Sequence, residues 1–148
     1  MITATKEFKW EMAHMLTGHK GLCQNIHGHS YKMQVTVSRI SRTIQSGSSE
    51  GMVLDFSDLK NIVEDTLINR LDHAFMMNGS ATGLERELLH MLHGKVKIYV
   101  VAYRPTAENM ARDFYEVISK QLEDLDKTIT LESVKIWETA TAYAEYRR

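Results

Sequence analysis

Residues 14–29 read His14-Met-Leu-Thr-Gly-His19-Lys-Gly-Leu-Cys23-Gln-Asn-Ile-His27-Gly-His29 and hold four of the chain's seven histidines and its only cysteine. His27 and His29 are two apart, so on an extended backbone both imidazoles leave on the same side, while Gly28 faces away and adds no bulk. In the segment before them Phe8, Trp10, Met12 and His14 share one face, and Lys9, Glu11 and Ala13 the other. His14 thus ends an apolar stripe and is expected to point inward. Three imidazoles without a fourth protein ligand make the pattern of a catalytic zinc site, which keeps a position open for water or substrate.

Two residues of the stretch leave alternatives. His19, between Gly18 and Lys20 in what reads as an exposed turn, is the rival of His14 as third ligand. Cys23 has two readings. As a fourth ligand it would close the site and make it structural. Standing free beside the ion it would act as a base, because a neighbouring cation favours the thiolate.

Working outward, residues 3–14 form a first strand and 29–39 a second, with Tyr31, Met33, Val35 and Val37 continuing the buried parity of the histidines. The polar run 40–51, with Ser46-Gly-Ser-Ser49, is a turn. A helix capped by Asp55 or Ser57 follows, its stripe made by Leu59, Ile62, Val63, Leu67, Ile68 and Leu71. Asp72 and His73 stand directly at its carboxyl end, where the dipole alone would favour a protonated histidine. Residues 84–92 read as a short helix and 96–103 as a strand, in a segment (79–103) to which the sequence assigns no role. His90 and His93 on that helix are read as its polar edge. Pro105 and Thr106 open a second long helix to about residue 126, with Thr106 as cap and Glu108 favoured by the dipole of the first turn. Residues 130–139 and 141–146 are closing strands. Glu138 follows Val134 and Ile136 onto an apolar face, so it needs a partner, either a salt bridge or a ligand with donors. The expectation is an α+β fold: an antiparallel sheet of about four strands with two long helices on one face.

The 148 residues suit one domain, 1–148, and the 43% hydrophobic and 25% charged composition is that of an ordinary globular chain. Eighteen basic and nineteen acidic residues nearly cancel, which gives no field to recruit nucleic acid or an anionic membrane. The opening residues have no signal-like apolar run, no stretch is long enough to span a membrane, and a lone cysteine suits a reducing compartment. A cytoplasmic protein is expected.

Taken together, Ala13-His14, Cys23-x-x-x-His27-Gly-His29, Val53-Leu-Asp55-Phe56-x-x-Leu59-Lys60, Leu71-Asp72-His73, Pro105-Thr106-Ala-Glu108-Asn109 and Glu138-Thr139 resemble, in order and over nearly the whole chain, the 6-pyruvoyl-tetrahydropterin synthase superfamily. The three-residue gap between Cys23 and His27 is most similar to its 6-carboxy-tetrahydropterin synthase branch, which serves queuosine biosynthesis. The resemblance implies the tunnelling fold, in which the sheets of three subunits join into a barrel and two trimers stack as a homohexamer. It implies zinc on His14, His27 and His29, an acid–base relay of Cys23, Asp72 and His73, and a pterin held by Glu138 with Thr106 and Glu108 beside it. It also implies 7,8-dihydroneopterin triphosphate as substrate, with Lys9, Lys20 and Lys32 available for its phosphates. The expected reaction is lyase chemistry that releases triphosphate and acetaldehyde. Elimination of triphosphate alone, giving the 6-pyruvoyl product, is the sibling alternative. A zinc-stabilised binding module with Cys23 as fourth ligand is the alternative outside enzymes.

Overall fold

A computed structural model describes residues 1–147. Its frame is one long hairpin. Strand β1 (Thr3–His14) pairs antiparallel with β2 (His27–Arg39) from Thr3 opposite Ser38 to His14 opposite His27. The alternating pattern along β1 puts Phe8, Trp10, Met12 and His14 on the buried side. Gly28 permits the close approach at the hairpin's loop end, where an added Cβ would stand 3.3 Å from the Met12 carbonyl oxygen.

The helical layer covers that face. Asp55, rather than Ser57, caps α1 (Phe56–Val63) by accepting the Ser57 N–H at 2.8 Å. The helix then widens into a π turn over Glu64–Ile68, where the Thr66 hydroxyl donates to the Ile62 carbonyl at 2.6 Å, and resumes as the short α2 (Asn69–Leu71). Strand β3 (Ala74–Asn78), helix α3 (Leu84–Leu92) and strand β4 (Ile98–Val101) come next. The long helix α4 (Ala107–Leu125) is capped by Thr106, whose hydroxyl accepts the Asn109 N–H, and β5 (Ile129–Trp137) and β6 (Tyr143–Arg147) close the chain.

The fold class is α+β, as expected, but the expected sheet is corrected. The sheet has six strands in the order β4-β3-β1-β2-β5-β6, not about four, and it is mixed, since β3 runs parallel to both β1 and β4. The unforeseen strand, Ala74-Phe-Met-Met-Asn78, is buried on both sides, so it lacks the alternation that marks a half-exposed strand. The two long helices, α1 and α4, lie on one face as expected, but the short α3 does not. Met76 joins the main core under α1 and α4, whereas Phe75 and Met77 point the other way and pack with Met15, Leu88, Leu89 and Leu92, which seats α3 on the opposite face.

The main core lies between the sheet and α1 and α4, with Met33, Leu59, Leu67, Phe114 and Ile118 fully buried. Each such side chain contributes about 1.5–3 kcal/mol. Trp10 and Tyr31 stack at 5.2 Å just below the histidines and stiffen that end of the hairpin. Most of the methionines are core filling: Met12, Met15, Met33, Met76, Met77 and Met110 are all buried.

Candidate active site

The last rungs of the hairpin carry the three imidazoles. His14 is 1% exposed, and its Nδ1 lies 2.8 Å from the Pro105 carbonyl oxygen; His27 Nδ1 lies 2.7 Å from the Asn25 carbonyl oxygen. A carbonyl only accepts, so each Nδ1 must donate and each neutral ring keeps a bare lone pair on Nε2. Those two Nε2 atoms face each other at 3.0 Å. Two lone pairs at that distance repel unless something positive lies between them. His29 Nε2 is buried with no hydrogen-bond partner.

Ligand atoms of His14, His27 and His29 all lie within 4.8 Å of one another, and the rings meet edge to face. Nitrogens bound to one tetrahedral zinc at ~2.0–2.1 Å would stand roughly 3.3 Å apart, close to the observed approach. Burial pushes His14 down to about 4, the two neighbouring imidazoles acting in the same direction and the Pro105 hydrogen bond opposing. Burial, with His27, also lowers His29. Both rings are therefore held neutral, the form that binds a metal. The group fits a divalent ion.

His19 stands outside the group. It is exposed, and its Nδ1 accepts the Gly21 N–H at 2.8 Å within its own loop. Cys23 is also exposed, in the single turn Leu22–Gln24, and its thiol is not among the clustered ligand atoms; its carbonyl accepts the Leu16 N–H at 2.9 Å. Within one chain the cluster therefore remains a three-ligand one.

Glu138 continues the buried parity of β5 and reaches 4.0 Å from His14 Nε2. Burial raises its carboxyl above the usual range, Glu108 adds to the rise and His27 opposes it. Glu138, Glu108 and Thr106 line one cleft of about 180 Å³ with Leu16, Ala107 and Tyr143. The helix-start motif is thus doubly tied to the site: Pro105 orients His14 through its carbonyl, and the next residues wall the cleft. Neither that carbonyl nor that of Asn25 was foreseeable, since a backbone acceptor has no side-chain signature.

Asp72 and His73 form a pair, with His73 Nδ1 3.0 Å from Asp72 Oδ1. Asp72 also accepts the Glu11 N–H at 3.0 Å, and that bond, the largest cause, with the His73 contacts and Lys97 holds its carboxyl below the usual range against slight burial. The His73 backbone is left-handed, φ 61°, and donates to the Glu11 carbonyl at 2.6 Å, so the residue is fixed against β1 rather than loose. Its ring is 77% exposed, in a groove of about 370 Å³ with Glu11, Ala13 and Ser30. Those residues have the opposite parity to Met12 and His14, but Met12 and His29 also line the groove, so it opens away from α1 and α4 at the end of the sheet that bears the imidazoles. Among the described residues, no hydrogen bond joins Cys23 to His73.

The lysines are dispersed. Lys32 Nζ lies 4.2 Å above the Trp137 ring and 3.7 Å from Glu7, Lys20 is exposed in the loop, and none of Lys9, Lys20 and Lys32 lines the Glu138 cleft. His90 and His93 are exposed and belong to no ligand group among the described residues.

A protein from Haemophilus influenzae named 6-carboxy-5,6,7,8-tetrahydropterin synthase is 40% identical over 99% of both chains. One of the same name from Aquifex aeolicus is 38% identical over 84% of this chain and 75% of its own. Among solved structures, the 6-pyruvoyl tetrahydropterin synthase of Caenorhabditis elegans superposes with a TM-score of 0.65 at 23% identity, over 99% of this chain and 95% of that one. Residues 3–148 match the family model described as 6-pyruvoyl tetrahydropterin synthase, and with the relatives above this shows that the chain belongs to the 6-pyruvoyl tetrahydropterin synthase family.

Proposed function

We propose that the protein is a zinc-dependent 6-carboxy-5,6,7,8-tetrahydropterin synthase. It takes 7,8-dihydroneopterin triphosphate and water to 6-carboxy-tetrahydropterin, acetaldehyde and triphosphate, without a redox cofactor, in the cytoplasmic route to queuosine. The two relatives named for that product support the branch. The observation that carries the reading is the pair of bare Nε2 atoms 3.0 Å apart, with the unpartnered His29 Nε2 beside them and a carboxylate-lined cleft adjoining.

His14, His27 and His29 hold the zinc, which supplies Lewis acidity to the substrate's side-chain hydroxyls. Glu138 accepts the parallel N–H donors of the pterin as a fork, and its half-buried position strengthens those bonds. Thr106 and Glu108 wall the same cleft. Cys23, as thiolate, removes a carbon-bound proton; His73, oriented by Asp72 at 3.0 Å, exchanges protons with the opposite side of the substrate.

One chain, 1–148, is one catalytic domain, but its relay is divided, Cys23 lying in the loop and His73 on the far face of the sheet. Assembly of the sheets into a homohexamer, a dimer of trimers, completes the relay across a subunit boundary. The test is the product formed by the zinc-loaded protein from the triphosphate. Acetaldehyde released in step with a carboxy-pterin is expected; triphosphate without acetaldehyde would assign the 6-pyruvoyl reaction instead.

A further inference from the structure

Helix α3 belongs to the segment 79–103, to which the sequence assigned no role. Its first turn carries Glu85, a carboxylate only 1% exposed. Glu85 accepts the Asn78 N–H at 2.8 Å on one oxygen and the Thr17 hydroxyl on the other. Among the described residues no ion pair offsets its charge. A carboxylate has about four acceptor sites, and burying one with two donors is costly. What it gains is a fixed link between the end of β3 and the residue three past His14.

That link continues to Cys23. Met15 packs into the small core formed by Phe75, Met77 and α3. Leu16, next in line, donates its N–H to the Cys23 carbonyl at 2.9 Å and lines the Glu138 cleft, and Thr17 is held by Glu85. Three consecutive residues are thus fixed from three directions. The turn bearing the thiol otherwise has no buried residue.

We propose that Glu85 is a positioning residue for Cys23: by holding Thr17 it fixes Leu16, and through the Leu16–Cys23 backbone bond it sets where the thiol stands relative to the metal cluster. The proposal rests on the reading of Cys23 as the base. It gives the segment 79–103 a task, that of a brace for the cysteine loop. A shift of ~1 Å in a reacting group costs about a hundredfold in rate, so a brace of this kind matters more to turnover than to binding.

The test uses the zinc-loaded chain with Thr17→Val, an exposed position whose change removes the donor and leaves the core intact. Iodoacetamide alkylation of the chain's only cysteine, followed by intact mass, reports on Cys23 directly, beside kcat, KM and zinc content. Expected are a fall in kcat of about tenfold or more with KM within about twofold. Zinc content is unchanged, the alkylation rate shifts by about threefold or more, and Thr17→Ser restores the wild-type values. A wild-type alkylation rate in Thr17→Val overturns the proposal, whatever happens to kcat. An altered alkylation rate with unchanged kcat upholds the brace and removes Cys23 from the chemistry, as would Cys23→Ala at full activity. Should Thr17→Val fail to fold, Glu85→Asp, which keeps the charge and shortens the reach, is judged by the same two quantities.

Discussion

Replacing His29 with Leu is expected to reverse the order of stability of variant and wild type according to whether metal is present. In the metal-free protein His29 Nε2 is buried without a partner. An unsatisfied buried polar atom costs about 1–3 kcal/mol, so an apolar side chain there should leave stability equal or raise it by about 1 kcal/mol. With zinc the sign changes. A ligand at a hundred times its Kd stabilises the fold by about 2.7 kcal/mol, and two remaining imidazoles retain little of that. At roughly 2–4 °C per kcal/mol for a chain of this size, wild type should gain about 5–11 °C on adding zinc, and His29→Leu almost none. Scanning calorimetry in chelator and in excess zinc, at one protein concentration because assembly also shifts Tm, measures all four values. If the variant were equally destabilised in both conditions, His29 would be a packing residue and the metal cluster would lose its third member.

Cys23→Ala should keep its zinc and its fold while kcat drops roughly 10²–10⁴-fold, the range for a lost proton-transfer group; joint loss of metal and fold would make the sulfur a ligand. Asp126 accepts the Thr128 N–H at 2.9 Å and hydroxyl at 2.7 Å, and Arg39 Nη1 lies 2.9 Å from its other oxygen. The two Thr128 bonds first, and then Arg39, lower its carboxyl below the ordinary 3.8 against slight burial. Because the folded value is depressed, the stability it contributes is present above 3.8 and is lost as pH falls through the folded value. Asp126→Asn should therefore flatten the acid limb of a urea-unfolding series below about pH 4 and be less stable than wild type at neutral pH; an acid limb as steep as wild type would remove this carboxylate from the account.

What the sequence made legible were features that a side chain advertises. Alternation along β1 put His14 on the same face as Trp10 and Met12, and the two-residue spacing put His27 and His29 together. The Thr106 cap and the inward parity of Glu138 could be read in the same way. What stayed hidden involved backbone groups or a choice between faces. The carbonyls of Pro105 and Asn25 set the ring tautomers, yet Pro105 is 91 residues from His14 and carries no mark of it. Strand β3 concealed itself by being apolar on both sides. The apolar stripe of α3, Leu88, Leu89 and Leu92, was detectable, but a stripe does not say which side of a sheet it covers; Phe75 and Met77 decide that by pointing away from Met76.

That choice of face has a chemical consequence. With α1 and α4 on one side, the sheet gathers the imidazole cluster and the Glu138 cleft at one end of its covered face, where burial keeps His14 neutral and raises the Glu138 carboxyl. Asp72 and His73 lie on the other face, the one that also carries α3, with His73 largely exposed; on the proposed mechanism, that exposure lets His73 exchange its proton with solvent. A two-residue turn of backbone, fixed by Glu11 at both its N–H and its carbonyl, carries the chain from the end of α2 to that face. On the proposed mechanism, binding at the buried cluster and proton exchange at His73 are thus offset across the end of the sheet, where His29 and His73 line one groove, and a second copy of the chain would bring its own Cys23 to that groove.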